Sequence, residues 1–277
     1  MNVDRIDAIP EHDPVLVTDD DLDDLSSFTG MSRSACLDRL RGYCAGELAE
    51  AWRRAHPVTS EAILAFYQST DLYIWALMQW HAGTARRAYR EALEYVVEHY
   101  PAHAGWRLVY DFGSGVGTDA LFLSSHGYDV TLVDVDSPAF RFARHRFKRR
   151  GQTARFVESI STLPKPDGFY DVIVCFDVFE HLLDPLGAAK QLIAALRGGG
   201  LIVQQGSFVD EGHHPCHLAR GVQRFGGLKW HIHLAGLGLR HLTGMVYCKG
   251  SPVQRFIQVG RYWLWRMTGF WLLRVSG

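Results

Sequence analysis

Apolar residues recur every three or four positions over residues 31–100, a spacing typical of amphipathic helices. The residues at this spacing are Leu37, Leu40, Cys44 and Leu48, followed by Ile63, Phe66, Tyr67, Ile74, Leu77 and Met78. Thr59 or Ser60 is in position to cap a helix, and Pro101 would end the last one. The pattern predicts an N-terminal helical cap of three or four helices over residues 31–104.

After Gly105 the pattern changes to short apolar runs separated by segments of helix length. The runs are Leu108 to Tyr110, Val130 to Val133, Arg155 to Val157, Val172 to Phe176 and Leu201 to Gln204. Alternating strands and helices favour a parallel sheet, whose ligands bind at the carboxyl ends of the strands. Residues 105–250 are therefore predicted to form an α/β core.

Composition excludes several classes of protein. The 277 residues are 47% hydrophobic and 21% charged, which suits a globular chain. No run of about 18 uncharged apolar residues occurs, and the N-terminus lacks the basic-then-apolar order of a signal peptide. The five cysteines are scattered without a CxxC pair, so neither a disulfide framework nor a thiolate zinc site is indicated. We expect a cytoplasmic protein.

The net charge of −1 conceals an acidic N-terminal region and a basic C-terminal region. Residues 1–25 carry nine acids and one base, whereas residues 212–277 carry nine bases and no acid. Low apolar content predicts that residues 1–30 form an acidic, flexible leader without a function. Six bases fall within residues 141–150, where a solvated helix face is favoured over a nucleic-acid patch.

Three glycines alternate in the segment Asp111-Phe112-Gly113-Ser114-Gly115-Val116-Gly117, directly after the first predicted strand. Glycines let the backbone approach a ligand, and the free amides of a helix start face it. Asp134 ends the second strand, where a carboxylate can accept both hydroxyls of a ribose. Asp111 would repel the pyrophosphate of a dinucleotide but suits a cationic amino-acid group. These features together point to S-adenosylmethionine.

With Leu163-Pro164, the run Tyr170 to Cys175 and Glu180-His181, the loop resembles class I S-adenosylmethionine-dependent methyltransferases, among them the small-molecule O-methyltransferases of the ubiquinone pathway. The resemblance extends from about Tyr110 to Leu201. It implies a Rossmann-like sheet and S-adenosylmethionine as cofactor. Where the family usually has an acid near the end of strand three, this chain has Ser159. The cofactor-binding residues that it implies are Asp111, Gly113, Ser114, Gly115, Asp134, Val135, Ser159, Ile160 and Phe176.

A second group of chemically active residues follows the fourth strand. Asp177, Glu180 and His181 have the i, i+3, i+4 spacing of one helix face, and the segment 211–217 adds further histidines after strand five. The predicted catalytic residues are His181, His214 and His217. Two interpretations remain open: a metal-free site, which is favoured, and a divalent metal held by Asp177, Glu180, His181 and His214. This pattern resembles the E-x-x-E-H motif of the ubiquinone-pathway O-methyltransferases and of the small-RNA 2′-O-methyltransferases. In this chain, Asp177 stands in the place of the first glutamate of that motif.

The segment 251–277 is predicted to be an amphipathic, aromatic and basic tail. An apolar arc that includes Phe256, Trp263 and Trp271 lies opposite Arg255, Arg261 and Arg266. Packing on the chain or on a second copy, through residues 253–277, is the favoured interpretation. Binding to a membrane surface is the alternative, and would place the protein at the inner face of the membrane.

The sequence thus predicts methyl transfer from S-adenosylmethionine to an oxygen of a small or lipid-like metabolite. One alternative is a metal-dependent RNA 2′-O-methyltransferase, although nucleic acid is the less favoured partner. The other is a non-catalytic regulatory protein that binds S-adenosylmethionine. Each would use the same glycine loop.

Overall fold

The computed structural model describes residues 17–158, 164, 167–209 and 217–250, and residues 257, 260, 263 and 264 of the tail. These residues divide into two compact units. The first unit contains residues 17–158. The second contains the described residues from 164 onward.

The first unit combines a helical region with parallel strands. Its helices before the strands are α1 (Asp19–Thr29), α2 (Arg33–Gly42), α3 (Ala45–Ala55), α4 (Ser60–Ser69), α5 (Leu72–Ala82) and α6 (Arg87–His99). They are followed by β1 (Leu108–Phe112), α7 (Thr118–Ser125), β2 (Asp129–Val133), α8 (Pro138–Arg149) and β3 (Arg155–Val157). The strands are parallel in the order β3-β2-β1, with Val109 opposite Val130 and Leu132 opposite Phe156.

The helical cap is confirmed in kind, but it is more finely divided than predicted. Five α-helices, α2 to α6, lie within described residues 33–99, where three or four were expected. Short breaks after Gly42, at Pro57 and at Thr70 separate helices that the apolar spacing alone would join. Thr59 caps α4 as predicted, because its side chain accepts the N–H of Ala62 at 3.2 Å.

The prediction of a flexible acidic leader is wrong for residues 19–29, which form α1. Thr18 and Asp21 make a capping box at its start, and Asp24 and Leu25 are fully buried. Composition predicted flexibility because the local content of apolar residues does not show ion pairs with residues that are distant in sequence. Here the partner is the basic end of α8, whose Arg146 is 1% exposed rather than solvated. Residues 1–16 lie outside the described residues.

The second unit contains parallel and antiparallel strands. Its elements are β4 (Tyr170–Phe176), α9 (Pro185–Ala195), β5 (Leu196–Gln205), α10 (Ala219–Phe225), α11 (Lys229–Gly236), β6 (Leu239–Thr243) and β7 (Val246–Lys249). β4 and β5 are parallel, whereas β7 pairs antiparallel with both β5 and β6. The predicted α/β, Rossmann-like fold is confirmed, and the antiparallel pair β6 and β7 is an addition to it.

Burial follows the apolar runs. Val172 to Cys175 of β4 are fully buried, as are Leu201 to Val203 of β5. None of the helices in the described ranges is both long enough and apolar enough to cross a membrane. In the predicted tail, Ile257 is 52% exposed and Trp263 is 54% exposed. The rest of residues 251–277 lies outside the description.

Candidate functional site

The glycine loop joins β1 to α7 and is closely packed on both sides. Gly115 and Gly117 have φ angles of 52° and 72°, which side chains other than glycine rarely adopt. A Cβ on Gly117 would lie 3.0 Å from the Cβ of Ala143 on α8. A Cβ on Gly115 would lie 2.7 Å from Cδ1 of Leu77 on α5. Both positions therefore favour glycine for its conformation, and a side chain at either position would also require neighbouring atoms to move.

Asp134 fixes the loop from the end of β2. Its Oδ2 accepts the N–H of Gly115 at 2.7 Å, and its Oδ1 accepts the N–H of Val135 at 2.7 Å. Burial raises the pKa of Asp134 to about 6, although both backbone N–H groups act to lower it. Each carboxylate oxygen retains a lone pair beyond these bonds, so the group can still accept two hydroxyls. Asp134 therefore contacts the loop through Gly115, and Val135 is hydrogen-bonded to Asp134.

Asp111 differs from Asp134 because one oxygen of its buried carboxyl has no partner among the described residues. It is 4% exposed, and within the described residues its Oδ2 has no hydrogen-bond partner. Burial, and then the nearby charge of Asp119, raise the pKa of Asp111 well above its usual range, while Arg86 opposes them. The hydroxyl of Ser114 is likewise buried and unpartnered in the described region. A cationic ligand group would relieve the cost of burying this carboxyl.

Two side chains of the helical cap, Arg86 and His81, were not among the predicted site residues, and the charge of Arg86 acts on Asp111. Arg86, 8% exposed in its side chain, pairs with Asp119 on α7. His81 on α5 has a buried Nδ1 without a partner in the described part of the chain. Burial, and then Arg86, hold the pKa of His81 well below its usual range. No local motif marks Arg86, because it meets Asp119 only through the tertiary packing of the cap against α7.

In the second unit, β4 ends at Phe176, which is 8% exposed. The next residue, Asp177, has a φ angle of 54° and donates its N–H to the carbonyl of Gln205 at 2.8 Å. A 3-10 turn, Phe179–His181, follows in place of the expected α-helix. The prediction that Asp177 shares a helix face with Glu180 and His181 is therefore wrong, because the chain turns sharply between them.

Glu180, His181 and His217 form a cluster in this unit, the candidate catalytic cluster. One possible ligand atom from each residue lies within 4.8 Å of the others. The two imidazole rings are 5.0 Å apart, and His217 Nδ1 lies 3.1 Å from the carbonyl oxygen of Val209. Asp177, predicted as a metal ligand, is not part of this group in the described residues, whereas His217, predicted as catalytic, is.

Glu180 anchors the candidate catalytic cluster. It is fully buried, and its Oε1 accepts the N–H of Ser207 at 2.9 Å. Its Oε2 has no partner among the residues described. Burial, and then the charge of Asp177, raise the pKa of Glu180 to about 8. The arrangement offers a carboxyl and two imidazoles, a set that can move a proton or hold a divalent cation.

Ser159 and Ile160, predicted near the adenine, lie outside the described residues, and so does His214. The described members of the predicted cofactor set fall into two groups. Asp111, Gly113, Ser114, Gly115, Asp134 and Val135 belong to the first unit, and Phe176 belongs to the second.

Residues 110–204 match the family model of a methyltransferase domain. A ubiquinone biosynthesis O-methyltransferase of Rickettsia akari is 26% identical over 115 residues, 40% of this chain and 46% of that enzyme. A probable S-adenosylmethionine-dependent methyltransferase of Mycobacterium tuberculosis is 33% identical over 97 residues, 35% of this chain and 34% of that protein. The chain thus spans less than half the length of these two curated relatives.

A longer match, over 54% of this chain, is to the ubiquinone biosynthesis O-methyltransferase of Marinobacter nauticus, with 25% identity and 71% of that enzyme covered. Among solved structures, an S-adenosylmethionine-dependent methyltransferase from Clostridium acetobutylicum has a TM-score of 0.38 and 20% identity, covering 44% of this chain and 51% of that one. The family match begins in β1 and contains the glycine loop and Asp134. Residues 110–204 therefore match a methyltransferase domain, and the sequence of this region is similar to that of S-adenosylmethionine-dependent methyltransferases.

Proposed function

We propose that this protein transfers the methyl group of S-adenosylmethionine to an oxygen of a small or lipid-like metabolite. The observation that carries the proposal is the pair of unlike carboxyls at the glycine loop. Asp134 is bonded to the loop backbone, and Asp111 is buried without a partner for its Oδ2 in the described region. This pair suits a ligand with hydroxyls at one end and a cation at the other.

The residues present fit S-adenosylmethionine in the roles that the sequence predicted for them. Asp134 would accept the ribose hydroxyls, and Asp111 would bind the ammonium of the methionine group. When bound, this cofactor supplies a methyl group on a positively charged sulfur, which is already a strong electrophile. The protein then needs to align the acceptor oxygen with that methyl group and to remove the proton of the acceptor.

The acceptor class is inferred from two observations. Relatives are named for ubiquinone biosynthesis and, in Thermus thermophilus, as a demethylmenaquinone methyltransferase. In addition, five of the six bases in residues 141–150 are engaged in ion pairs, which weakens the case for an RNA substrate. These bases are Arg141, Arg144, Arg146, Arg149 and Arg150. A reduced, demethylated quinone is the first acceptor to test.

Replacing Asp134 with Asn tests the cofactor site. The amide would lose the charged acceptor for the ribose hydroxyls, and hydrogen bonds to charged groups are worth about 1.5–3 kcal/mol each. We expect Asp134→Asn to raise the Kd for S-adenosylhomocysteine by about 10- to 100-fold in titration calorimetry. Asp136→Asn is the matched control, because Asp136 is exposed and pairs only at the surface with Arg141. Equal affinities in the wild type and Asp134→Asn would contradict the assignment.

Cofactor binding is also expected to depend on pH. A ligand ammonium favours the charged form of Asp111, so its raised pKa falls on binding and a proton is released. Affinity should therefore rise with pH over the range below the pKa of an α-amino group. Asp134, with a pKa of about 6, contributes in the same direction. Calorimetry in two buffers of different ionisation enthalpy measures the released proton.

The result that would contradict this linkage is an affinity that falls with pH, or a binding enthalpy that is the same in both buffers. The Asp111→Asn variant provides the control, since it removes the titrating group. The variant should release fewer protons than the wild type. It should also bind the cationic ligand more weakly.

For the candidate catalytic cluster, we propose that His181 or His217 takes the proton of the acceptor hydroxyl. In a second mechanism, Glu180, His181 and His217 hold a divalent metal. This mechanism is supported by the distances between their possible ligand atoms, which all lie within 4.8 Å of one another. Such a metal would lower the pKa of the acceptor hydroxyl. The donor set of one carboxylate and two imidazoles fits Mn²⁺, Fe²⁺ or Zn²⁺.

Single replacements of His181, His214 and His217 by Ala separate these possibilities from a structural role. We expect kcat to fall by about 100-fold or more in at least one variant, the range typical of a lost general base. His103→Ala, at an exposed position, is the control. Activity that survives EDTA supports the metal-free mechanism, whereas loss on EDTA and recovery with Mn²⁺ supports the metal. Unchanged turnover in all three variants would exclude both roles.

We propose that the tail, residues 253–277, is a contact surface for a second copy of the chain. Its apolar arc and the exposure of Ile257 and Trp263 support this proposal. We expect light scattering to find a dimer for the full chain and a monomer without residues 253–277. Sedimentation of the full chain alone with anionic vesicles would instead support membrane binding. A tail without effect on either measurement would contradict both partners.

A further inference from the structure

Arg146 connects the acidic helix α1 to the glycine loop. Toward the loop, its Nη1 donates to the carbonyl of Val116 and to the hydroxyl of Thr118, both at 2.8 Å. Toward α1, its Nε donates to Asp24 at 3.1 Å, and its Nη2 donates to Asp21 at 2.7 Å. One buried guanidinium therefore serves acceptors on two separate elements.

The charges around Arg146 are balanced. Asp24 is fully buried and also receives hydrogen bonds from Arg149 and Arg150. Arg150 pairs with Asp21 as well, and Arg149 pairs with Asp20, which is exposed. Three carboxylates thus face three guanidinium groups. Removing one member leaves an uncompensated charge in a buried place.

Apolar packing joins the same two elements. Val116 in the loop and Leu25 in α1 are both fully buried members of one cluster, which also includes Phe142 of α8. On the adjacent side, Gly117 packs so closely against Ala143 that an added Cβ would lie 3.0 Å away. The side of the loop that contacts α8 and α1 is therefore held by both packing and charge.

We propose that Arg146 is a positioning residue for the cofactor, and that Asp24 and Asp21 of α1 hold it in place. By binding the carbonyl of Val116, Arg146 fixes the backbone next to Gly115, whose N–H binds Asp134. This inference rests on the proposed function, because it assigns α1 a part in the binding of S-adenosylmethionine. It also gives a role to the acidic segment that composition alone marks as idle.

The geometry explains why an arginine is needed. A guanidinium has five N–H donors in a planar fork, whereas a lysine has three donors on a single nitrogen. Lysine at position 146 keeps the positive charge for Asp24 but cannot span both Asp21 and the loop. Arg146→Lys therefore separates charge compensation from positioning of the loop.

The test compares Arg146→Lys with Arg33→Gln. Arg33 also pairs with α1, through Asp19 and Asp23, but at an exposed site away from the loop. We expect Arg146→Lys to raise the Kd for S-adenosylhomocysteine by about 10-fold, and Arg33→Gln to change it by less than about 2-fold. Urea unfolding without ligand measures the stability of each variant. A wild-type Kd in Arg146→Lys would overturn the proposal, even if stability fell.

Two further measurements cover the remaining cases. If Arg146→Lys does not fold, Asp21→Asn is the second variant. It weakens the ion pair between Asp21 and the Arg146 guanidinium, and the side chain of Asp21 is 19% exposed. Its Kd should rise by about 3-fold, and an unchanged Kd overturns the proposal.

If the wild type does not bind S-adenosylhomocysteine, the proposed function fails. Amide exchange then tests the positioning without ligand: faster exchange at residues 115–118 in Arg146→Lys, with α9 unchanged, supports it, and equal exchange overturns it.

Discussion

Three arginines of α8 and its C-terminal end surround the buried carboxylate of Asp24, and this charge cluster determines how the first unit is assembled. Burying an unpaired ion costs of the order of several kcal/mol, so the acid and the bases are buried together. Asp24 and Arg146, which pair in this way, are 122 positions apart in the sequence. Because Arg146 also bonds to Val116, it extends from α1 to the glycine loop.

At the glycine loop, two carboxyls have opposite environments. Asp134 has backbone donors for both oxygens, so its position is fixed before any ligand binds. Asp111 is buried with an oxygen that nothing in the described structure satisfies. A fixed acceptor and an uncompensated acid together favour a ligand with hydroxyls and a cation over a dinucleotide. The same contrast explains why the expected affinity depends on pH.

The sequence predicted those parts of the fold that depend on neighbouring residues. The strands β1 to β5, the cap at Thr59, and the glycine loop with Asp111 and Asp134 follow from short patterns of polarity and glycine. Helix α1 could not be predicted in this way, because Asp24 is stabilised by arginines more than a hundred residues later. The available signal was the pair of oppositely charged runs, five acids in residues 19–24 and four bases in residues 146–150.

The candidate catalytic cluster shows a second limit. The spacing of Asp177, Glu180 and His181 predicts one helix face only if the backbone is α-helical. The positive φ of Asp177 and the 3-10 turn break that face, and they leave His217 as the partner of Glu180 and His181. Contacts such as Leu77 on Gly115 likewise depend on the packing of α5, which no local pattern encodes.

The most direct test of the central claim is a crystal structure of the protein with S-adenosylhomocysteine bound. We expect ligand density at residues 113–117, with both ribose hydroxyls on Asp134 and the ammonium on Asp111. Density at another place, or a ligand at the loop that contacts neither carboxylate, would contradict it.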